Sequence, residues 1–196
     1  MIRLLPLALA SVLAACASMT PTVTKQEAYA IYDIKASSVA ASSVSDSVTQ
    51  ALQKNMTGVR VNKEIPPSPL PAKPQRFTLN DLFKGSGLAA MAGVGFKVPS
   101  CSGAMLTTMA SNEAMAKYGE NTTFFVCLQP YAEGYWLTVY STFSKRSGAS
   151  SPALLGADLA RMFVGDSSQF IPRTVNDMIA AVKTTGATVT LLEAYP

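Results

Sequence analysis

Five of the nine residues from Pro66 to Pro74 are proline. A run like this lacks backbone N–H donors and has its φ angles fixed, so it can be neither helix nor central strand, and it favours the extended polyproline conformation. At about 3.1 Å per residue it reaches about 28 Å as a stiff spacer. It cuts the 196-residue chain unevenly. The expected organisation is a small folded unit over residues 27–65, a basic linker over 66–77, and a larger domain over 78–196. Charge gathers at the same place. Between residues 54 and 97, Lys54, Arg60, Lys63, Lys73, Arg76, Lys84 and Lys97 oppose only Glu64 and Asp81. Such a segment is drawn to acidic headgroups or an acidic partner, and it serves equally as a solvated linker.

Apolar residues make up 48% of the chain and charged ones 14%, which is a folding composition and not a disordered one. There is no histidine. That excludes a Ser-His-Asp or Cys-His catalytic pair, a histidine-ligated zinc or haem, and a histidine pH switch. Asp158, Asp166 and Asp177 fall in separate expected elements and read as caps and surface, so they form no acid–base pair. The glycine-rich stretch Gly85–Gly95 matches no phosphate-cradling spacing. No catalytic residue, metal site or cofactor is assigned.

At the N-terminus Arg3 supplies a positive region, Leu4 to Val12 an apolar stretch, and Ala14 and Ala15 lead to Cys16. Together these fit a secretory signal, and the apolar stretch is too short to span a bilayer. Its end, Leu13-Ala14-Ala15-Cys16, resembles the lipobox of bacterial lipoproteins. The resemblance implies that residues 1–15 are removed as a signal, that Cys16 carries the lipid, and that residues 16–26 form a tether. It also implies attachment to the outer membrane facing the periplasm, because Ala17 stands where an aspartate would retain the protein at the inner membrane. Two or three acyl chains suffice for stable anchoring. With Cys16 lipidated, Cys101 and Cys127 remain as an even pair in a compartment where disulfides persist. Closing a loop of that length stabilises a fold by roughly 3 to 3.5 kcal/mol on the chain-entropy account.

Periodicity gives the elements. Residues 29–34 read as a strand, Val44, Val48, Ala51 and Leu52 as one helical face, and Val59, Val61 and Ile65 as a second strand, together a small β-α-β unit. Beyond the prolines, Thr78 and Asp81 suggest a capping box for a short helix, with a strand near residues 96–98. A helix over 104–118, carrying Met105, Met109 and Met115, is followed by strands over 121–129 and 135–143. Helices follow over 151–165 and from Thr174 to Gly186, then a last strand over 188–194. The expectation is an α+β fold whose C-terminal part runs β-α-β-β-α-α-β, a ferredoxin-like split β-α-β sandwich with an antiparallel sheet.

One strand stands out as a binding surface. Tyr135, Leu137, Val139 and Phe143 alternate onto one face, while Trp136, Thr138, Tyr140 and Thr142 take the other. Helices covering the first leave an aromatic and hydroxyl face for a partner, unless the β-α-β unit or the linker folds over it and buries it. Together these readings suggest a non-enzymatic binding or assembly subunit of an envelope complex, such as a secretion, pilus or outer-membrane machine. Its partners are the membrane, through the anchor, and an envelope protein; export argues against nucleic acid. The alternatives are an envelope hydrolase using carboxylate or serine chemistry and a lipoprotein that binds a small ligand or metal.

Overall fold

The computed structural model describes residues 22–36, 39–81, 97–112, 120–147 and 167–195. Its elements are β1 (Thr22–Lys35), α1 (Ala41–Asn55), β2 (Gly58–Lys63), β3 (Thr78–Asp81), β4 (Lys97–Ser100), β5 (Leu106–Ser111), β6 (Glu120–Tyr131), β7 (Gly134–Ser147), α2 (Ser167–Thr184) and β8 (Thr188–Tyr195). The class is α+β. Six strands form one sheet in the order β2-β5-β6-β7-β1-β8, antiparallel throughout, and β3 pairs with β4 in a separate two-stranded sheet. Strands from both sides of the proline run therefore belong to the same sheet.

Alternation assigns the faces. Ile34 of β1, Leu106 and Ala110 of β5, Phe124, Val126 and Leu128 of β6, and Leu137 and Val139 of β7 point one way into a buried cluster. The helices supply the other half of that cluster. Val44, Val48, Ala51 and Leu52 recur at helical spacing on α1, and Met178 and Val182 recur on α2. The Phe170 ring of α2 meets Phe124 edge-on at 6.4 Å. Helix α2 ends where expected, and Gly186 (φ +91°) takes the left-handed backbone that closes it.

Several local expectations are corrected. Residues 106–111 form a strand, not the middle of a helix, because Leu106, Thr108 and Ala110 are buried alternately between β2 and β6. A ladder on each side outweighs the apolar spacing that suggested a helix. Thr78 does not cap a helix; its hydroxyl bonds that of Ser100 at 2.9 Å, and Leu79 lies opposite Pro99 in the β3–β4 pair. Helix α2 begins seven residues before Thr174, whose hydroxyl donates to the Phe170 carbonyl inside the helix. Strand β1 begins at Thr22, within the stretch expected as tether. Thr22–Gln26 pair with Ser147–Phe143, and the side chains of Val23–Gln26 are exposed, which is why they show no apolar period. Cys16, Met115, the helix over 151–165, Asp158, Asp166 and the glycine-rich stretch lie outside the described residues.

Candidate binding surface

The sheet's second face carries Trp136, Thr138, Tyr140 and Thr142, as the alternation requires, beside Cys127 and Gln129 of β6 and Tyr29 and Ile31 of β1. The linker does not span free space. It folds back across this face as a strap, so that Thr138 is 1% and Tyr140 3% exposed, while Trp136 and Thr142 remain half-buried. Two of the four residues expected at a partner surface are thus covered by the chain itself. The driving force is aromatic burial, with Phe77 of the strap lying against the Tyr29 ring at 5.3 Å and the Tyr140 ring at 6.1 Å.

Polar ties hold the strap down. Gln129, almost fully buried, donates through Nε2 to the carbonyls of Gln75 and Ser102, each at 2.9 Å. Ala132 N–H donates to the Pro71 carbonyl at 3.0 Å. The Cys101–Cys127 disulfide pins the β4–β5 connection to the same face, with 6.4 Å between the two Cα atoms. At the sheet's margin Arg76 and the Tyr29 hydroxyl both donate to Glu193 Oε1, at 2.5 and 2.6 Å. The Tyr29 hydrogen bond and then Arg76 hold the Glu193 carboxyl below its ordinary range.

No protein-family model matches the chain, nor does any curated protein or solved structure. The site is therefore read from its geometry.

With helices on one face and a strap on the other, what the described residues leave open of the sheet is chiefly its two edges. They differ in kind. Edge strand β2 carries Arg60 and Lys63, the latter bonded to Asp46 at 2.9 Å, and Val61 is its one exposed large apolar side chain, at 38%. Such charges blunt an edge against added strands. Edge strand β8 has one charged residue, Glu193, already held by Tyr29 and Arg76, and it exposes Leu191 (52%), Leu192 (49%) and Tyr195 (58%). Its register on β1 slips by one residue between Glu193 and Leu191, leaving Leu192 without a β1 partner. The strand itself is legible in the sequence. Its place at an edge is not, because strand order depends on pairings far apart in the chain.

A second polar group sits at the hairpin end of the sheet. The Tyr131 hydroxyl donates to Asp33 at 2.6 Å and receives a bond from Lys35 at 2.6 Å, and Lys35 also reaches Glu133 at 2.6 Å. Glu133 is held low chiefly by the Lys35 hydrogen bond, and Lys35 is pushed up chiefly by Glu133. The charges compensate one another, which makes this group a lock between β1 and the β6–β7 turn. Asp177 on α2 is likewise engaged, accepting from Asn55 of α1 at 3.0 Å.

Proposed function

We propose that this chain is a lipid-anchored, periplasm-facing subunit that binds another envelope protein by adding one of the partner's extended segments beside β8. The lipobox-like sequence ending at Cys16 supports the anchor. The observation that carries the binding reading is the unblunted apolar edge at β8, opposite an edge that is charged. An edge strand offers unpaired N–H and C=O groups that dock an extended peptide by main-chain bonds, and Leu191, Leu192 and Tyr195 supply the adjoining apolar surface. Trp136 and Thr142, half-buried at the strap, can add to that contact but do not carry it.

The test is crosslinking of the native protein in intact cells, followed by tagged purification and mass spectrometry. Two variants are run in parallel: Cys16→Ser, which removes the acyl site, and Leu191→Lys with Leu192→Lys, which charges the edge. A stoichiometric envelope partner lost in both supports the proposal. Retention of that partner by the charged-edge variant, or recovery of the chain only as a crosslinked dimer of itself, overturns the edge reading. Normal fractionation of Cys16→Ser with the outer membrane overturns the anchor.

A further inference from the structure

Beside the β8 edge the helix-covered face of the sheet is not fully packed. A cleft of about 220 Å³ opens there between α2 and the strands β1 and β8. Ala28 and Ala30 share the helix side of β1 with Ile34, and Ala194 of β8 lies directly opposite Ala30. These three small side chains give the cleft a floor of little bulk, walled by Ile171, Pro172 and Val175 of α2. Among the described residues, none that lines it carries a charge. Ala194 and Tyr195 belong both to the lining and to the edge strand, so cleft and edge form one continuous surface.

A strand added beside β8 limits what can reach this cleft. It runs about 4.8 Å outside β8 and turns alternate side chains toward the helix side. The one beside Ala194 faces only a methyl group, and Ala30 lies one strand further in. Cross-strand neighbours about 7–8 Å away are within reach of aromatic and long side chains. The volume exceeds the roughly 150 Å³ of an apolar cavity that takes benzene, so a phenyl ring fits. A long charged side chain would be desolvated here with no counter-charge. In strand addition the main-chain bonds give affinity, and pockets for alternate side chains give selectivity.

We infer that the segment added beside β8 carries an uncharged aromatic side chain, phenylalanine foremost, and that this side chain enters the cleft under α2. The inference rests on the β8 edge reading and names the partner chemistry which that edge selects. A ring over Ala194 and Ala30 is buried against Ile171 and Val175, both half-buried already. Burying one large apolar side chain is worth about ten- to hundredfold in affinity.

The experiment is site-specific photocrosslinking of the full-length protein in intact cells. A small diazirine-bearing residue is placed at Leu192, on the edge, in one variant, and at Asn176, exposed on α2 at the cleft, in another. Both are expected to capture the same envelope protein, and peptide sequencing by mass spectrometry should find Asn176 joined to an aromatic residue of the partner or to its immediate neighbour. Ala194→Leu, at an exposed position, fills the cleft without adding charge to the edge. Its melting temperature should be unchanged, while capture through position 192 should fall by about tenfold. Capture at Leu192 with Asn176 joined to nothing, or only to residues 148–166 of the same chain, overturns the cleft inference and spares the edge. So does undiminished capture by Ala194→Leu, or a bond from Asn176 to a partner segment without an aromatic residue. Joining of Asn176 to a second copy of the chain overturns it as well. Capture at neither position overturns both readings.

Discussion

Replacing Cys101 and Cys127 together by alanine tests whether the strap side is a structural layer or a loose cover. The bridge closes a loop with a sequence separation of 26. On the chain-entropy account its removal costs about 3.5 kcal/mol through the unfolded state. Cys127 is fully buried, so losing its sulfur adds a small cavity worth up to about 1 kcal/mol. The total is near 4 kcal/mol. Taking a urea dependence of about 2 kcal/mol per molar for a chain of this size, the midpoint should fall by about 2 M. The bridge also holds Ser102 where its carbonyl accepts from Gln129. Losing it should therefore loosen the strap before the helical side gives way.

Equilibrium urea unfolding read by two probes separates these effects. Far-ultraviolet circular dichroism follows the helices and the sheet as a whole. Fluorescence follows Trp136, the chain's only tryptophan, which lies opposite Gln129 on the strap side. With the bridge intact the two curves should coincide; in the double alanine variant fluorescence should move first. A midpoint shift below about 0.5 M with coincident curves would refute the layered account, since the bridge would then neither restrain the unfolded chain nor hold the face.

Three further outcomes follow from single positions. Gly134 (φ +155°) follows the β6–β7 turn, and an added Cβ would lie 2.1 Å from the Ile34 carbonyl oxygen, so Gly134→Ala should cost about 2–4 kcal/mol by thermal unfolding. Leu137→Ala, at a fully buried site between β1 and β6, should cost about 2–5 kcal/mol in the same assay. For pH, the Tyr29 and Arg76 bonds lower Glu193, the Lys35 bond lowers Glu133, and the Asn55 bond followed by Lys54 lowers Asp177. Their folded values lie below the unfolded ones, so their stabilisation is present above the ordinary carboxylate range and is lost as pH falls through the lowered values. With no histidine to titrate, melting temperature should stay flat from about pH 8 to about pH 5 and fall below about pH 4. A rise in stability on acidification contradicts this assignment.

Much of the fold is visible in local periodicity, and what is missed is set by distant partners. The apolar stripe of α1, the C-terminal half of α2 with its terminating glycine, and the β6–β7 hairpin can each be read within one window of sequence. Strand β5 cannot. Leu106, Met109 and Ala110 suit a helical face as well as a strand, and only flanking by β2 and β6 decides between them. The proline run announces an extended stiff segment, but its destination depends on Gln129 meeting Gln75 across 54 residues and on Arg76 meeting Glu193 across 117. The aromatic stripe was therefore legible as a feature while its fate was not: a face rich in Tyr and Trp suits a partner or the chain's own strap equally well.

The strap also shapes the edge it does not cover. Arg76 belongs to the strap and Glu193 to β8, and their pairing neutralises the charged residue of that strand. Without Arg76, Glu193 keeps its bond from Tyr29 but carries an uncompensated negative charge at the margin of the sheet. Edge β8 would then resemble β2, which charged side chains protect from added strands. Arg76→Met retains much of the apolar stem and removes the cation. Because both partners are substantially exposed, the fold should be nearly unaffected, with an unchanged melting temperature. Capture of the partner should fall toward the level of the Leu191→Lys, Leu192→Lys variant. It should recover in Arg76→Met with Glu193→Gln, which takes away both charges and returns a neutral edge. If Arg76→Met alone captures the partner as well as the parent while the lysine variant does not, apolar area and not charge governs docking at β8.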